Sequence, residues 1–181
     1  MKIDRYERIS RASAEGLPSE PGTYALLLRP QQDITLAVGR LGVFRLPGGA
    51  YAYIGSALGA GGIRGRVAHH LRDKRRLHWH IDAFTHQCVV EGASWVRAAE
   101  PLECCWVQLL LHLPGSRVPI RGFGSSDCPN RCPTHLVGLS PDYCVADVER
   151  VMLDRVSGSI SFVPGHDLLK DQAHAESVLF P

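Results

Sequence analysis

The sequence predicts an α/β domain, and three observations carry that expectation. Gly22 to Leu28 (Gly-Thr-Tyr-Ala-Leu-Leu-Leu) is an apolar run of strand length, as a strand buried on both faces requires. Ala50 to Gly55 (Ala-Tyr-Ala-Tyr-Ile-Gly) alternates small and aromatic residues, the period of a strand with two distinct faces. Beyond it, Ile63, Val67 and Leu71 fall on one helical stripe, and Pro101 to Leu113 reads as an apolar helix stopped by Pro114-Gly115.

The remaining elements follow in chain order. Residues 1–20 are polar and mixed, a loose lead-in to a domain expected over 21–156. Ile34 to Val38 is a second short strand, and Val43 to Leu46 a third, ended by Pro47-Gly48-Gly49. Ser56 to Gly62 is glycine-rich and reads as a loop. The helix Ile63 to Leu71 is followed by a second at Leu77 to Phe84 and a strand at Val89 to Ala98. Arg117 to Pro133 is loop-like, His135 to Leu139 a closing strand, and Asp142 to Leu153 a helix. Residues 157–181 have mixed character and read as a flexible or docking tail.

Composition bounds the class. With 181 residues, 45% of them apolar, the chain can bury a core and is not of disordered type. No apolar run approaches the ~20 residues of a membrane span, and the start of the chain lacks the apolar centre of a signal peptide. A soluble, cytoplasmic protein with no membrane partner is the expectation. Net charge is only +2, yet Arg64, Arg66, Arg72, Lys74, Arg75 and Arg76 cluster with His69, His70, His78 and His80. Such a stripe either holds phosphates or is a solvated basic helix end.

The six cysteines, without a secretion signal, argue against a disulfide framework. Cys128, Cys132 and His135 have a spacing that offers three ligands to a structural Zn²⁺, with a fourth from Cys88, Cys104, Cys144 or a histidine. The other reading is a loop beside an active site, in which Ser125, Ser126 and Asp127 face the substrate.

Chemistry is concentrated in a few short signatures: Gly22-Thr23-Tyr24, Tyr53-Ile54-Gly55, Arg66 with His70 one turn on, and Glu103. In that order they resemble the GIY-YIG nuclease family. Tyr-Ile-Gly-Ser-Ala, Leu-His-Trp-His-Ile-Asp and Gly-Phe-Gly-Ser-Ser-Asp-Cys, with Cys132 and His135 downstream, are most similar to its branch found alone or fused to endonuclease III-type glycosylases. The resemblance spans roughly Pro21 to Leu139. It implies a small, mostly antiparallel sheet flanked by helices.

It also implies a divalent-metal-dependent endonuclease acting on DNA, in repair or branched-DNA processing, with RNA left open and a repair protein as partner. Tyr24 is then the base or the residue that positions water, and Tyr53 lines the same cleft; which of the two takes the proton stays open. A phenol of pKa near ~10 needs a nearby cation to serve at neutral pH, and the rate is then expected to rise above neutral. Gly55 lets backbone approach the site. Arg66, with Arg64 as competitor, binds the scissile phosphate. His70 contacts water or phosphate, and Glu103 holds Mg²⁺ or Mn²⁺. Ser56, Arg64, Lys74, Arg75, His78 and Ser125 are the implied substrate contacts. His78 and Asp82, four apart, are placed to buttress one another.

Three departures from the family stand out. Thr23 replaces an isoleucine, Gly59, Gly61 and Gly62 lengthen the loop before Arg66, and the asparagine expected after the metal helix has no clear match. Asn130 fits poorly, and Asp127 is a substitute. These departures motivate an alternative, a non-catalytic nucleic-acid-binding module. A third reading is a zinc-stabilised interaction domain.

Overall fold

The computed structural model describes Ala14 and residues 16–72, 79–153 and 161–164. The chain enters through strand β1 (Gly22–Arg29), makes a hairpin of β2 (Ile34–Val38) and β3 (Gly42–Leu46), and returns as β4 (Tyr51–Ala57). Helices α1 (Gly62–His70) and α2 (His80–Thr85) follow, then β5 (Val89–Arg97) and α3 (Glu103–Leu111). The short β6 (Leu136–Gly138), α4 (Val145–Leu153) and β7 (Ser161–Pro164) complete the described elements. The main sheet has the order β6-β4-β1-β5-β7 with every neighbouring pair antiparallel. This is the α/β arrangement that the sequence led us to expect, a small antiparallel sheet flanked by helices.

Strand β1 is central, so both its faces are covered and its sequence shows no polar alternation. Tyr24, Leu26 and Leu28 point to one side, with Tyr51 and Tyr53 of β4, Ile63 and Val67 of α1, and Ile81 and Phe84 of α2. Ala25 and Leu27 point to the other, with Ala52, Ile54, and Trp106, Val107 and Leu110 of α3 and Val148 and Met152 of α4. The two-residue period of a strand thus sorts consecutive side chains into two cores. Tyr24, Tyr53 and the helix carrying Arg66 and His70 lie on the first side, while Glu103 comes from the start of α3, which packs on the second.

Three expectations are corrected. The loop after β4 is shorter than Ser56 to Gly62, because β4 stays laddered to β1 through Ala57↔Gly22 and α1 already begins at Gly62. Gly62 has φ 53°, and a Cβ there would collide with the carbonyls of Ser19 and Glu20. The end of the lead-in is not loose. Leu17 is buried, and the backbone N–H groups of Ile63 and Arg64 at the start of α1 donate to the carbonyls of Glu20 and Pro18 at 3.1 and 2.8 Å. The second helix begins at His80 rather than Leu77, residue 77 lying outside the described residues. Within the stretch read as a flexible or docking tail, β7 docks on β5 at the sheet edge. Among the described residues, no helix is long and apolar enough to cross a membrane.

Candidate active site

The antiparallel register of β1 and β4 brings the two tyrosine signatures together. Tyr24 sits directly opposite Gly55, and Tyr53 lies two residues away on the same face, its ring centroid 6.5 Å from that of Tyr24. One turn of α1 separates Arg66 from His70 and aims both at these rings. The start of α3 contributes Glu103, and the loop between α3 and β6 contributes Gly124, Ser126, Asp127 and Asn130. Together they line one cleft of about 570 Å³.

Gly55 lines the cleft and has a second task there. A Cβ on it would lie 2.5 Å from the Tyr24 hydroxyl oxygen, so the glycine makes room for the tyrosine's own side chain. Gly55→Ala is expected to destabilise the fold by about 1–3 kcal/mol through overpacking. A thermal melt of the variant reads this out; an unchanged midpoint would show that the phenol has somewhere else to go.

The centre of the cleft wall is a buried hydrogen-bond chain. The Tyr24 hydroxyl lies 2.8 Å from His70 Nε2, and His70 Nδ1 lies 3.0 Å from Asp82 Oδ1. Tyr24, His70 and Asp82 are 1%, 1% and 0% exposed, so none of these bonds competes with bulk water. A carboxylate only accepts, so Nδ1 carries the imidazole proton, and Nε2 is left to accept from the Tyr24 O–H. Asp82 is itself fixed from both ends. Its Oδ2 accepts the Trp79 N–H at 3.1 Å, while its own N–H donates to the Trp79 carbonyl at 3.0 Å, which caps α2. Asp82 therefore buttresses His70; His78, the expected partner, lies outside the described residues.

Burial pushes the Tyr24 phenol well above its ordinary pKa, and the Tyr53 and Glu103 charges add to this while Arg66 opposes them. Arg66 does pull the phenol down, as expected of a nearby cation, but desolvation of an enclosed phenolate costs more than this one guanidinium returns. Tyr53 is raised too, burial first, again with Arg66 opposing. The two phenols nonetheless differ. The Tyr53 hydroxyl makes no hydrogen bond to any described residue, whereas that of Tyr24 is committed to His70.

Arg66 stacks its guanidinium 4.4 Å from the centroid of the Trp79 ring, which holds it over the cleft without consuming its donors. Arg64 does not compete. It is exposed, does not line the cleft, and its Nε donates to the Leu17 carbonyl at 2.7 Å, tying the lead-in to α1. Ser56 does line the cleft, its hydroxyl 3.1 Å from that of Thr23. The Thr23 hydroxyl also accepts the Leu102 N–H at 2.9 Å, one residue before Glu103, so it anchors the start of α3 to β1. The threonine that departs from the family pattern thus has a task an isoleucine could not perform. Ser125 is corrected: its hydroxyl is buried and without a partner among the described residues, and Ser126 and Asp127 face the cleft instead. Lys74 and Arg75 lie outside the described residues, with His78. His80 lines the cleft, accepts the Gly124 N–H at 3.1 Å on Nδ1, and is kept neutral by burial, which lowers its pKa.

Beside Glu103 the cleft wall becomes sulfur-rich. Cys128, Cys132 and His135 are joined by Cys104 of α3, and the potential ligand atoms of all four lie within 4.8 Å of one another. Cys88 and Cys144 are not part of this group. Burial pushes the Cys132 thiol up, helped by contacts with Cys104 and Cys128. Burial opposes ionisation of Cys128 as well, but hydrogen bonds from the Cys132 backbone, Cys104 and the Asn130 backbone outweigh it and hold that thiol below its usual value. Burial lowers His135 and keeps its imidazole neutral against the pull of Glu103 and Asp127. Sequence reasoning missed Asp82 as the partner of His70 and could not choose Cys104 from the four candidates; both are contacts between residues far apart in register with any local pattern.

No curated protein and no solved structure matches the chain. A match is found at the level of families, over residues 23–156, which hold the whole of β1 except its first residue and every cleft residue named above. The chain belongs to the family described as Domain of unknown function DUF123.

Proposed function

We propose that this chain is a GIY-YIG-type endonuclease that hydrolyses phosphodiester bonds in DNA with a divalent metal. The observation that carries the reading is the Tyr24–His70–Asp82 chain ending in the same cleft as Arg66 and Glu103. Water held at the Tyr24 oxygen gives its proton to that oxygen as the phenol proton passes to His70 Nε2. The imidazolium so formed is stabilised by the Asp82 carboxylate. No phenolate has to exist beforehand, which suits a tyrosine whose ionisation burial opposes. Arg66 offers a planar pair of donors to the phosphate and meets the charge that grows on it. Tyr53, with its hydroxyl uncommitted, donates to a phosphate oxygen or to the departing one.

Glu103 fits the hard cation that the reading requires. Its carboxylate lines the cleft and makes no hydrogen bond or ion pair with any described residue, so it is free to be one oxygen ligand, phosphate and water supplying the rest. Held there by Glu103, Mg²⁺ or Mn²⁺ would supply charge neutralisation for the phosphate and the leaving oxygen.

The test is incubation with Mg²⁺ or Mn²⁺ and plasmid, flapped, branched and abasic DNAs, with an RNA alongside. Wild-type protein is expected to cleave at least one DNA, and Glu103→Ala to lose about 10²–10³-fold in rate. Salt-sensitive DNA retention with no metal-dependent cleavage would instead make the chain a binding module. Cleavage of RNA alone would overturn the substrate, and equal cleavage by Glu103→Ala would remove that residue from the site.

A further inference from the structure

Hydrolysis as described makes no use of the sulfur-rich corner of the cleft. Cys104 reaches it from the first turn of α3, Cys128 and Cys132 from the long loop before β6, and His135 from the loop's end. We infer that these four side chains hold a structural zinc ion with Cys₃His ligation.

Ligand type and number come first. Three thiols and one imidazole are a soft, four-donor set that suits tetrahedral Zn²⁺ and leaves no position open for water or substrate. With Zn–S bonds of about 2.3 Å, the edges of such a tetrahedron run to about 3.8 Å. The ligand atoms already lie within 4.8 Å of one another, and the Cys104 and Cys128 sulfurs are 3.4 Å apart. Second, His135 is 7% exposed and its Nε2 is buried with no hydrogen-bond partner among the described residues. A buried polar nitrogen without a partner is costly, and metal ligation by the ring removes its isolation.

Third, the loop is wound for sulfur. Arg131 has φ 52°, the sole non-glycine positive φ among the described residues, and it lies between the two loop cysteines. A left-handed arginine is strained and persists only where its surroundings require it. Here the winding places Asn130 beside the sulfur cluster. The Asn130 side-chain Nδ2 donates to the Cys104 sulfur at 3.2 Å. Donors aimed at sulfur from outside the ligand set are what stabilises metal-bound thiolates.

A Cys104–Cys128 disulfide is the competing outcome. It would use two of the four groups and leave Cys132 and His135 buried without purpose. Zinc instead clamps the loop carrying Asp127 and Asn130 to the residue next to Glu103, and so sets the wall of the cleft. This assignment stands apart from the nuclease reading, because metal content is measured without any cleavage assay.

The experiment is metal analysis of the full chain purified under reducing conditions without chelator, followed by replacement with Co²⁺. About one zinc per chain is expected, with a cobalt form showing the intense visible bands of a tetrahedral thiolate site. Cys132→Ser and His135→Ala are expected to lose the metal. His135→Cys retains it with a stronger thiolate-to-cobalt absorption, which guards against a variant that merely fails to fold. Cys105→Ser and Cys144→Ser, both exposed, leave it unchanged. Stripping zinc from the wild type lowers its melting midpoint by roughly 10 °C. A folded protein with no bound metal and no tetrahedral cobalt spectrum overturns the proposal, as does a Cys104–Cys128 disulfide in the freshly purified chain or stoichiometric iron in place of zinc.

Discussion

Arg66→Ala is expected to lower DNA cleavage by about 10²–10³-fold while leaving the fold intact. The two halves of that expectation rest on different observations. The guanidinium is half-buried, stacked on Trp79 at 4.4 Å, and makes no ion pair with any described residue, so its removal leaves no buried charge unpaired. Losing the stacking costs stability of only about 0.5–1 kcal/mol. Its donors, by contrast, are the only guanidinium ones lining the cleft among the described residues, and in the proposed hydrolysis they would meet the charge developing on the phosphate. Arg66→Lys restores the charge but neither the planar fork nor the stack, so it should recover only a small part of the rate. Single-turnover cleavage on the best DNA of the panel, beside a thermal melt, separates the two effects. A variant that cleaves as fast as wild type removes Arg66 from the chemistry.

Asp82→Asn is the second large effect, and it acts at a distance. Asp82 touches no substrate; it fixes the proton on His70 Nδ1 and so leaves Nε2 able to accept from Tyr24. An asparagine amide can donate to Nδ1 instead, which moves the ring proton to Nε2 and breaks the relay. A loss of about 10²–10⁴ in rate is expected, of the order found when an orienting carboxylate is neutralised beside a catalytic histidine. Stability should fall by about 1–3 kcal/mol, because a buried charge-assisted bond is exchanged for a neutral one. The assay therefore belongs at a temperature where circular dichroism shows the variant folded.

A positioning role leaves a signature that a purely structural one does not. In the wild type, cleavage should fall on the acid side, since protonated His70 cannot accept the Tyr24 proton. Tyr24 itself contributes no rise just above neutral, because burial raises its pKa and its proton is fully held there. In Asp82→Asn the acid limb should shift to lower pH, as the carboxylate that favours imidazolium is gone. An acid limb unmoved by the substitution would sink the relay, and an alkaline rise in the wild type would restore the ionised-phenol mechanism.

Much of the fold is legible along the chain because it follows from periodicity. The run from Gly22, the alternation of Ala-Tyr-Ala-Tyr and the stripe of Ile63 and Val67 each mark an element whose burial depends on local spacing. The errors fall where neighbours decide. Residues 17–20 look like loose polar chain until their carbonyls are seen capping α1. The stretch after 157 lacks a strong pattern, yet β7 adds to the sheet edge, since backbone pairing with β5 needs no particular side chain.

The same division runs through the candidate site. Tyr24, Tyr53, Arg66, His70 and Glu103 were identifiable in the sequence by the order of short signatures, and the structure places all five along one cleft. The sequence by itself determined these residue types, their helical or strand spacing and the cysteine-histidine loop. The tertiary structure alone decided that His70 bonds Asp82, that Arg64 holds Leu17 while Arg66 faces the cleft, that Ser125 turns inward, and that Cys104 completes the sulfur cluster. The reason is physical. Spacing fixes which side chains share a face of one element, whereas a hydrogen bond across 12 residues or a ligand set drawn from a helix and a distant loop depends on how elements pack. It also decided the ionisation of Tyr24, because a phenol's pKa is set by the water and charges that folding removes or brings near.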